Sequence, residues 1–207
     1  MKIIIFGATG TIGRHLIEQG LDEGHRITAF ARTPEKLFLE HPNLSRITGD
    51  VLSRDSVTAA IPGHDAVIVV LGAGIRGNVR SKGTLNIINA MQTHNIQRLI
   101  CQSTLGAGDS RKNLNFFWKY IMFGGLLRKA YADHQLQEHY VRASGLDWTI
   151  VRPGAFTNGQ RTGEYRHGFP ASDKSTLLKV SRPDVAEFLL KQISDLKYLH
   201  SSPGLSY

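Results

Sequence analysis

Apolar residues come in short blocks separated by polar or periodic stretches. "KIIIF" at 2–6 and "AVIVVL" at 66–71 are apolar almost throughout, as strands covered on both faces of a parallel sheet are. The period then changes. Ile12, Leu16, Ile17 and Leu21 fall at helical spacing and predict an amphipathic helix over 11–24, stopped by Gly24. The alternation continues along the chain. "RITAFA" (26–31), "LSRITGD" (44–50), "RLICQS" (98–103) and "DWTIVRP" (147–153) read as strands. Helices are predicted over 53–61, with Ser53 as N-cap, over 81–94, and over 131–144, stopped by Gly145. A last helix over 182–193 follows Ser181, with Asp184 placed for a capping-box-like start. Short strands are expected near 163–165 and 175–179. An irregular stretch, "TLGAGDSRKN", leads into the aromatic run "NFFWKYIMFGGLL" at 115–127.

Strands alternating with helices imply right-handed crossovers and a parallel sheet. The expected fold is α/β: a Rossmann-type, doubly wound parallel sheet in a three-layer αβα domain. The 207 residues suit one such domain, with neither a repeat nor a linker in view. Ligands of these sheets bind at the carboxyl ends of the strands.

Composition narrows the setting. The lone cysteine, Cys101, cannot make an internal disulfide and sits in a strand pattern, which suits a reducing compartment. No signal peptide or membrane-spanning run is read, and a cytoplasmic protein is expected, as a monomer or weak dimer. The net charge of +8 is uneven: 66–132 carries nine Lys or Arg and a single acid, Asp109. No nucleic-acid motif accompanies that charge, so nucleic acid is not an expected partner. The segment holds the ends of the fourth and fifth strands, so a basic rim attracting an anionic small molecule is favoured over a solvated face.

The chemistry begins at "GATGTIG". Gly7, Gly10 and Gly13 lie between a strand and a helix, where missing Cβ atoms let backbone amides face a pyrophosphate at the positive helix end. Thr9, Thr11 and Ile12 would supply those amides. Dinucleotide sites for NAD place an acid about 20 residues further on, at the ribose 2′-hydroxyl. Here "AFARTPEKL" offers Arg32, with Thr33 and Lys36 nearby, which suits a 2′-phosphate and hence NADPH. Asp50, in "TGDV", could accept from the adenine amino group.

"GATGTIG", "ARTPEKL", "GDV", "DAVIVVLG", "SGLDWTIVRPG" and "VSRPDVAEFL" together resemble the atypical short-chain dehydrogenase/reductases of the NmrA-like type. Within that group the chain is similar to the small NADPH-dependent flavin reductases of the biliverdin-IXβ reductase kind. The resemblance implies further cofactor contacts at Val51, Leu71, Gly72, Ala73, Pro153, Gly154, Ala155 and Phe156. It also implies a catalytic hydroxyl after the fifth strand, at Thr104 with Ser103 beside it. Threonine stands where those reductases have serine, and Ala155 stands where the animal reductase has histidine. The Tyr-x-x-x-Lys dyad is absent, because Tyr120, Tyr131 and Tyr140 are followed four residues later by Gly124, Gln135 and Ser144. Ketone reduction needs the acid that such a dyad supplies. A flavin or linear tetrapyrrole spreads the incoming charge, so a planar anionic acceptor is expected. An NADP(H)-binding redox sensor of NmrA type is the alternative.

Arg76, Arg80, Phe116, Trp118 and Lys119 are the candidate acceptor residues, with the aromatic run as a lid over the acceptor. A packed helix, a dimer patch or a peripheral membrane contact are its other readings. His134 and His139 are five apart, a poor metal spacing, and read as surface or capping residues; no metal is expected. Asp133 and Glu138 share that spacing and make a weak acid–base pair.

Overall fold

Each strand that alternates Ile, Val or Phe on both faces needs helices above and below it. The computed structural model, which describes residues 1–72 and 77–207, supplies both layers. Six strands, β1 (Lys2–Phe6), β2 (Arg26–Ala31), β3 (Leu44–Thr48), β4 (Ala66–Val69), β5 (Arg98–Gln102) and β6 (Asp147–Pro153), run parallel. Their order is β3-β2-β1-β4-β5-β6. The direction of winding reverses between β1 and β4, which opens a crevice at their carboxyl ends. The helices are α1 (Thr11–Asp22), α2 (Arg54–Ala60), α3 (Val79–Thr93), α4 (Arg128–Arg142) and α5 (Arg182–Lys191). Ile3 and Ile5 of β1 join one core with Leu16, Ile17, Phe188 and Leu189 of α1 and α5. Ile4 and Phe6 join the opposite core with Val57, Ile87, Met91 and Val141 of α2, α3 and α4. The chain is therefore a single three-layer α/β domain of Rossmann type. Among the described residues no helix is long and apolar enough to cross a membrane.

The C-terminal third departs from the pattern read in the sequence. Strands expected at 163–165 and 175–179 are replaced by β7 (Ala155–Thr157), β8 (Arg166–His167), β9 (Lys179–Ser181) and β10 (Gly204–Ser206). β10 extends the main sheet parallel to β6, β8 pairs antiparallel to β10, and β7 and β9 form a separate parallel pair. Strands of two or three residues have no period to read. The α5 start is also half a capping box. Ser181 Oγ accepts from the Asp184 amide at 3.2 Å. The Asp184 carboxylate turns away, to the Thr162 and Gly163 amides and to the Tyr207 hydroxyl at 2.6 Å. It pins the 160s loop and the last residue to α5.

A buried ion pair joins β6, α4 and the turn after β5. Arg152 of β6 is 1% exposed. It donates from Nε and Nη2 to the two Glu138 oxygens of α4 at 2.9 and 2.8 Å, and from Nη1 to Asp109 at 2.5 Å. Burial raises the Glu138 pKa, but the guanidinium outweighs it and holds the carboxyl below its usual range. A lowered carboxylate pKa stabilises the fold above the ordinary glutamate value near 4.5, and that contribution is lost as pH falls through the lowered value. Glu138→Gln leaves a buried charge half-paired and should cost about 3–5 kcal/mol at neutral pH. The gap to wild type should narrow as pH falls below 4.5. Urea titrations across pH check both, and a gap that does not change with pH rules out this account.

Candidate dinucleotide and acceptor cleft

β1 ends at Gly7 with φ +95°, a conformation that favours glycine. A Cβ there would lie 2.4 Å from the Val70 carbonyl oxygen of the neighbouring strand. Gly10 closes the turn by donating to the Gly7 carbonyl at 2.9 Å and then serves as the N-cap of α1. A Cβ on Gly13 would meet the Gly7 oxygen at 2.3 Å and the Ala8 oxygen at 2.7 Å. The first turn of α1 is thus pressed against the strand end. It has no side-chain cap and no acidic residue, so its leading amides and positive end are available to an anion. These are the features a pyrophosphate requires, and the turn fits a dinucleotide.

A cleft of about 770 Å³ runs from this turn along the carboxyl ends of β1, β2, β4, β5 and β6. Gly7, Thr9, Gly10, Thr11 and Ile12 line it, while Gly13 stands behind as the spacer that permits the approach. At the β2 side Arg32 lines the cleft and is exposed. Thr33 and Lys36 are exposed but do not reach it. Lys36 belongs to a short turn (Pro34–Lys36) whose carbonyl accepts from Arg14. Asp50 and Val51 line the cleft, and Asp50 Oδ1 already accepts from the Leu52 amide at 2.9 Å. Leu71, Gly72, Gly154, Ala155 and Phe156 complete the lining expected of the cofactor half, with Pro153 buried beneath it. Ala73 and Arg76 lie outside the described residues.

Beyond β5 the wall becomes aromatic. Ser103 is buried, and its hydroxyl favours the charged form of Glu138 from nearby without a well-formed hydrogen bond. Thr104 is half-buried in the cleft, its Oγ1 directed at the Leu105 carbonyl at 3.4 Å. A π-helical segment, Phe117–Leu126, follows the loop. Its wider winding, with Leu127 donating five residues back to Met122, places Trp118, Phe123 and Leu127 on the cleft side. Phe116 is 70% exposed and, like Lys119, does not line the cleft. These two candidate acceptor residues are therefore corrected: neither belongs to the cleft wall.

Arg80 does line the cleft, but not as a rim cation. It is 8% exposed, with Nη1 3.7 Å from Asp133 Oδ2. The start of α3 explains the arrangement. Asn78, at φ +82°, provides no side-chain cap, and Asp133 of α4 caps the helix from outside. Its oxygens accept from the Arg80 and Ser81 amides at 3.1 and 3.0 Å and from Ser81 Oγ at 2.5 Å. Arg80 Nη1 is left without a hydrogen bond among the described residues. His134, read from sequence as a surface residue, is buried beside it in the cleft wall, and its Nδ1 also lacks a partner there. Burial, and then the Arg80 charge, push its pKa down to about 4, so the ring is neutral near pH 7. Asp133 and Glu138 are not an acid–base pair, since each is committed to an arginine. Arg98 is likewise removed from the basic rim. It begins β5, at the amino edge of the sheet, and donates to the Asp147 carbonyl and Thr149 hydroxyl at 2.8 Å. Cys101 is buried, with its thiol pKa pushed up by desolvation.

The fold and the glycine turn define a nucleotide-binding Rossmann protein. The NAD(P)H-binding family matches residues 7–196, and this chain belongs to that family. The uncharacterized sugar epimerase YhfK of Bacillus subtilis is 30% identical over 94% of this chain and 89% of its own length. The uncharacterized chloroplastic protein At2g34460 of Arabidopsis thaliana is 29% identical over 78% of this chain, which spans 61% of that protein. Among solved structures, a short-chain dehydrogenase/reductase of Veillonella parvula in complex with NADP superposes with a TM-score of 0.84. It is 21% identical and covers 100% of this chain and 94% of its own. ChuY of Escherichia coli O157:H7, described as an anaerobillin reductase, gives 0.82 at 23% identity, covering 100% and 97%. At these identities the structures establish the fold.

The space left by Gly13 generates a prediction. Gly13→Ala forces backbone, not a flexible side chain, to move, and should cost about 1–3 kcal/mol of stability. It should also weaken NADPH binding, followed by nucleotide fluorescence. Unchanged affinity would show that the turn does not hold the cofactor.

Proposed function

We propose that this chain is an NADPH-dependent reductase of a planar, conjugated, anionic acceptor, with flavins (FMN, FAD or riboflavin) first and linear tetrapyrroles of the biliverdin kind second. One observation carries the reading: a single cleft joins the glycine turn to the wall of Trp118, Phe123 and Leu127, passing Ser103 and Thr104. The amides at the start of α1 would hold the pyrophosphate, and Arg32 the 2′-phosphate, with Thr33 and Lys36 adding positive or polar surroundings outside the cleft. The NADP held by the Veillonella relative supports that preference. Bound reduced nicotinamide supplies a hydride.

The chain's own part is to position the acceptor and exclude water. Trp118 and Phe123 offer flat apolar faces to a conjugated ring. Arg80 Nη1 and the His134 ring offer polar contacts to its carbonyl or carboxylate oxygens. Thr104 Oγ1 keeps a hydroxyl beside the reacting region. No tyrosine–lysine dyad is present, and His134 is neutral, so a strong acid for an alkoxide is not at hand. A conjugated acceptor requires proximity more than acid catalysis. The description of ChuY as an anaerobillin reductase supports a reductase reading. The epimerase name of YhfK calls for acid–base chemistry that this wall does not favour.

NADPH absorbance followed with purified protein against flavins, biliverdins and quinones tests the proposal. Oxidation with a flavin or tetrapyrrole is expected. NADPH binding without turnover on any of them would overturn the reductase reading in favour of the redox sensor. On the cofactor side, Arg32→Ala should remove most of the preference for NADPH over NADH, about 1.5–3 kcal/mol for a charged hydrogen bond. Equal affinities for the two nucleotides in the wild type would sink that assignment.

A further inference from the structure

The π-helical segment has two apolar faces, and the cleft uses one. Trp118, Phe123 and Leu127 face inward, and Phe123 stacks on Tyr131 with ring centroids 4.9 Å apart. On the other side Phe116, Phe117, Tyr120, Ile121 and Leu126 are 70, 50, 58, 52 and 68% exposed. Soluble surfaces rarely gather such residues in one short stretch without a partner. The charges that flank them in the sequence have one sign. From Ser110 to Ala132 the chain carries Arg111, Lys112, Lys119, Arg128 and Lys129 and no acid. Lys112, Arg128 and Lys129, which flank the segment at both ends, are exposed.

We propose that this outer face docks on the surface of an anionic lipid bilayer. Its aromatic and aliphatic side chains would enter the headgroup–acyl boundary, and the flanking cations would lie against the headgroups. Apolar side chains bordered by lysine and arginine are the chemistry that binds such an interface. The competing occupants fit less well. A second copy meeting the same patch about a twofold axis would bring two sets of like charge together, since the segment itself carries no acid. A nucleic acid would leave Ile121 and Leu126, which cannot stack on bases, in water. Closure as a lid would require the inner face, already packed on Tyr131, to be pulled apart. The docked surface and the acceptor end of the cleft are two sides of one segment, while the docking itself does not depend on which acceptor is reduced.

Cosedimentation of the full chain with vesicles tests this, using phosphatidylcholine alone and a phosphatidylcholine–phosphatidylglycerol mixture. Binding to the anionic mixture, declining as salt rises, is expected. Neutralising Lys112, Arg128 and Lys129 to Gln should weaken it roughly fivefold per residue. Phe117→Ser with Ile121→Ser should weaken it tenfold or more. Both variants alter the outer face only, so NADPH affinity should be retained and serves as the control for folding. Failure to bind the mixture, or binding indifferent to both variants, overturns the proposal. So does a concentration-dependent dimer that the serine variant abolishes in the absence of vesicle binding.

Discussion

A buried guanidinium has few acceptable surroundings, and Arg152 dictates those of the aromatic-walled half of the cleft. Its charge cannot stay in the interior of β6 without carboxylates to meet it. Glu138 must therefore come from α4, and Asp109 from the turn after β5. Three stretches distant in sequence are held at one point by this requirement. Ser103 and Thr104 leave β5 just before that turn, and His134 sits one helical turn before Glu138, so these cleft-lining residues inherit their positions from it. Even the turn is shaped by it: a Cβ on Gly108 would lie 2.4 Å from Arg152 Nη2, and Gly108 takes φ +54°.

The two halves of the cleft are thus built by different means. The cofactor half rests on backbone meeting backbone: β1 beside β4, Gly7 under Val70, Gly13 under the Gly7 carbonyl. The aromatic-walled half rests on side chains. Asp133 caps α3, Gln137 donates to Thr84 at 3.0 Å, and Glu138 holds Arg152. A polar interior of this kind gains little net stability from each pair but penalises any other arrangement, because every partner is buried.

This contrast explains what could be read from the sequence. The six parallel strands, α1, the Ser53 cap and the glycine turn follow from local rules of period and punctuation, and they stand in the structure within a few residues of expectation. The place of Arg32 at the cleft was legible for the same reason, since it follows the end of a recognisable strand. The buried face of α4 was not. Asp133, His134, Gln137, Glu138 and Val141 share one face at helical spacing, yet four of the five are polar, and polarity reads as solvent. Only the partners on α3 and β6 reveal that the face is internal. The short strands β7 to β10 have no period, and which residues of the aromatic run face the cleft depends on a π winding that no sequence period announces. For α4, the available signal was a run of polar residues at the spacing that a buried apolar face would have.

The same accounting relocates the excess charge. Of the nine basic residues in 66–132, Arg80 and Arg98 are buried and committed to internal partners, and Arg76 lies outside the described residues. The other six, Lys82, Arg111, Lys112, Lys119, Arg128 and Lys129, do not line the cleft. Five of them flank or belong to the π-helical segment. A field that draws an anion toward the mouth of the cleft can arise from these residues only at a distance, where salt screens it over about 8 Å. Among the described cations of that segment only Arg80 lines the cleft, and its Nη1 stands 3.7 Å from the Asp133 carboxylate and without a hydrogen bond among the described residues. The surface charge and the cation inside the cleft are therefore separate features of the basic segment, set by different parts of the fold.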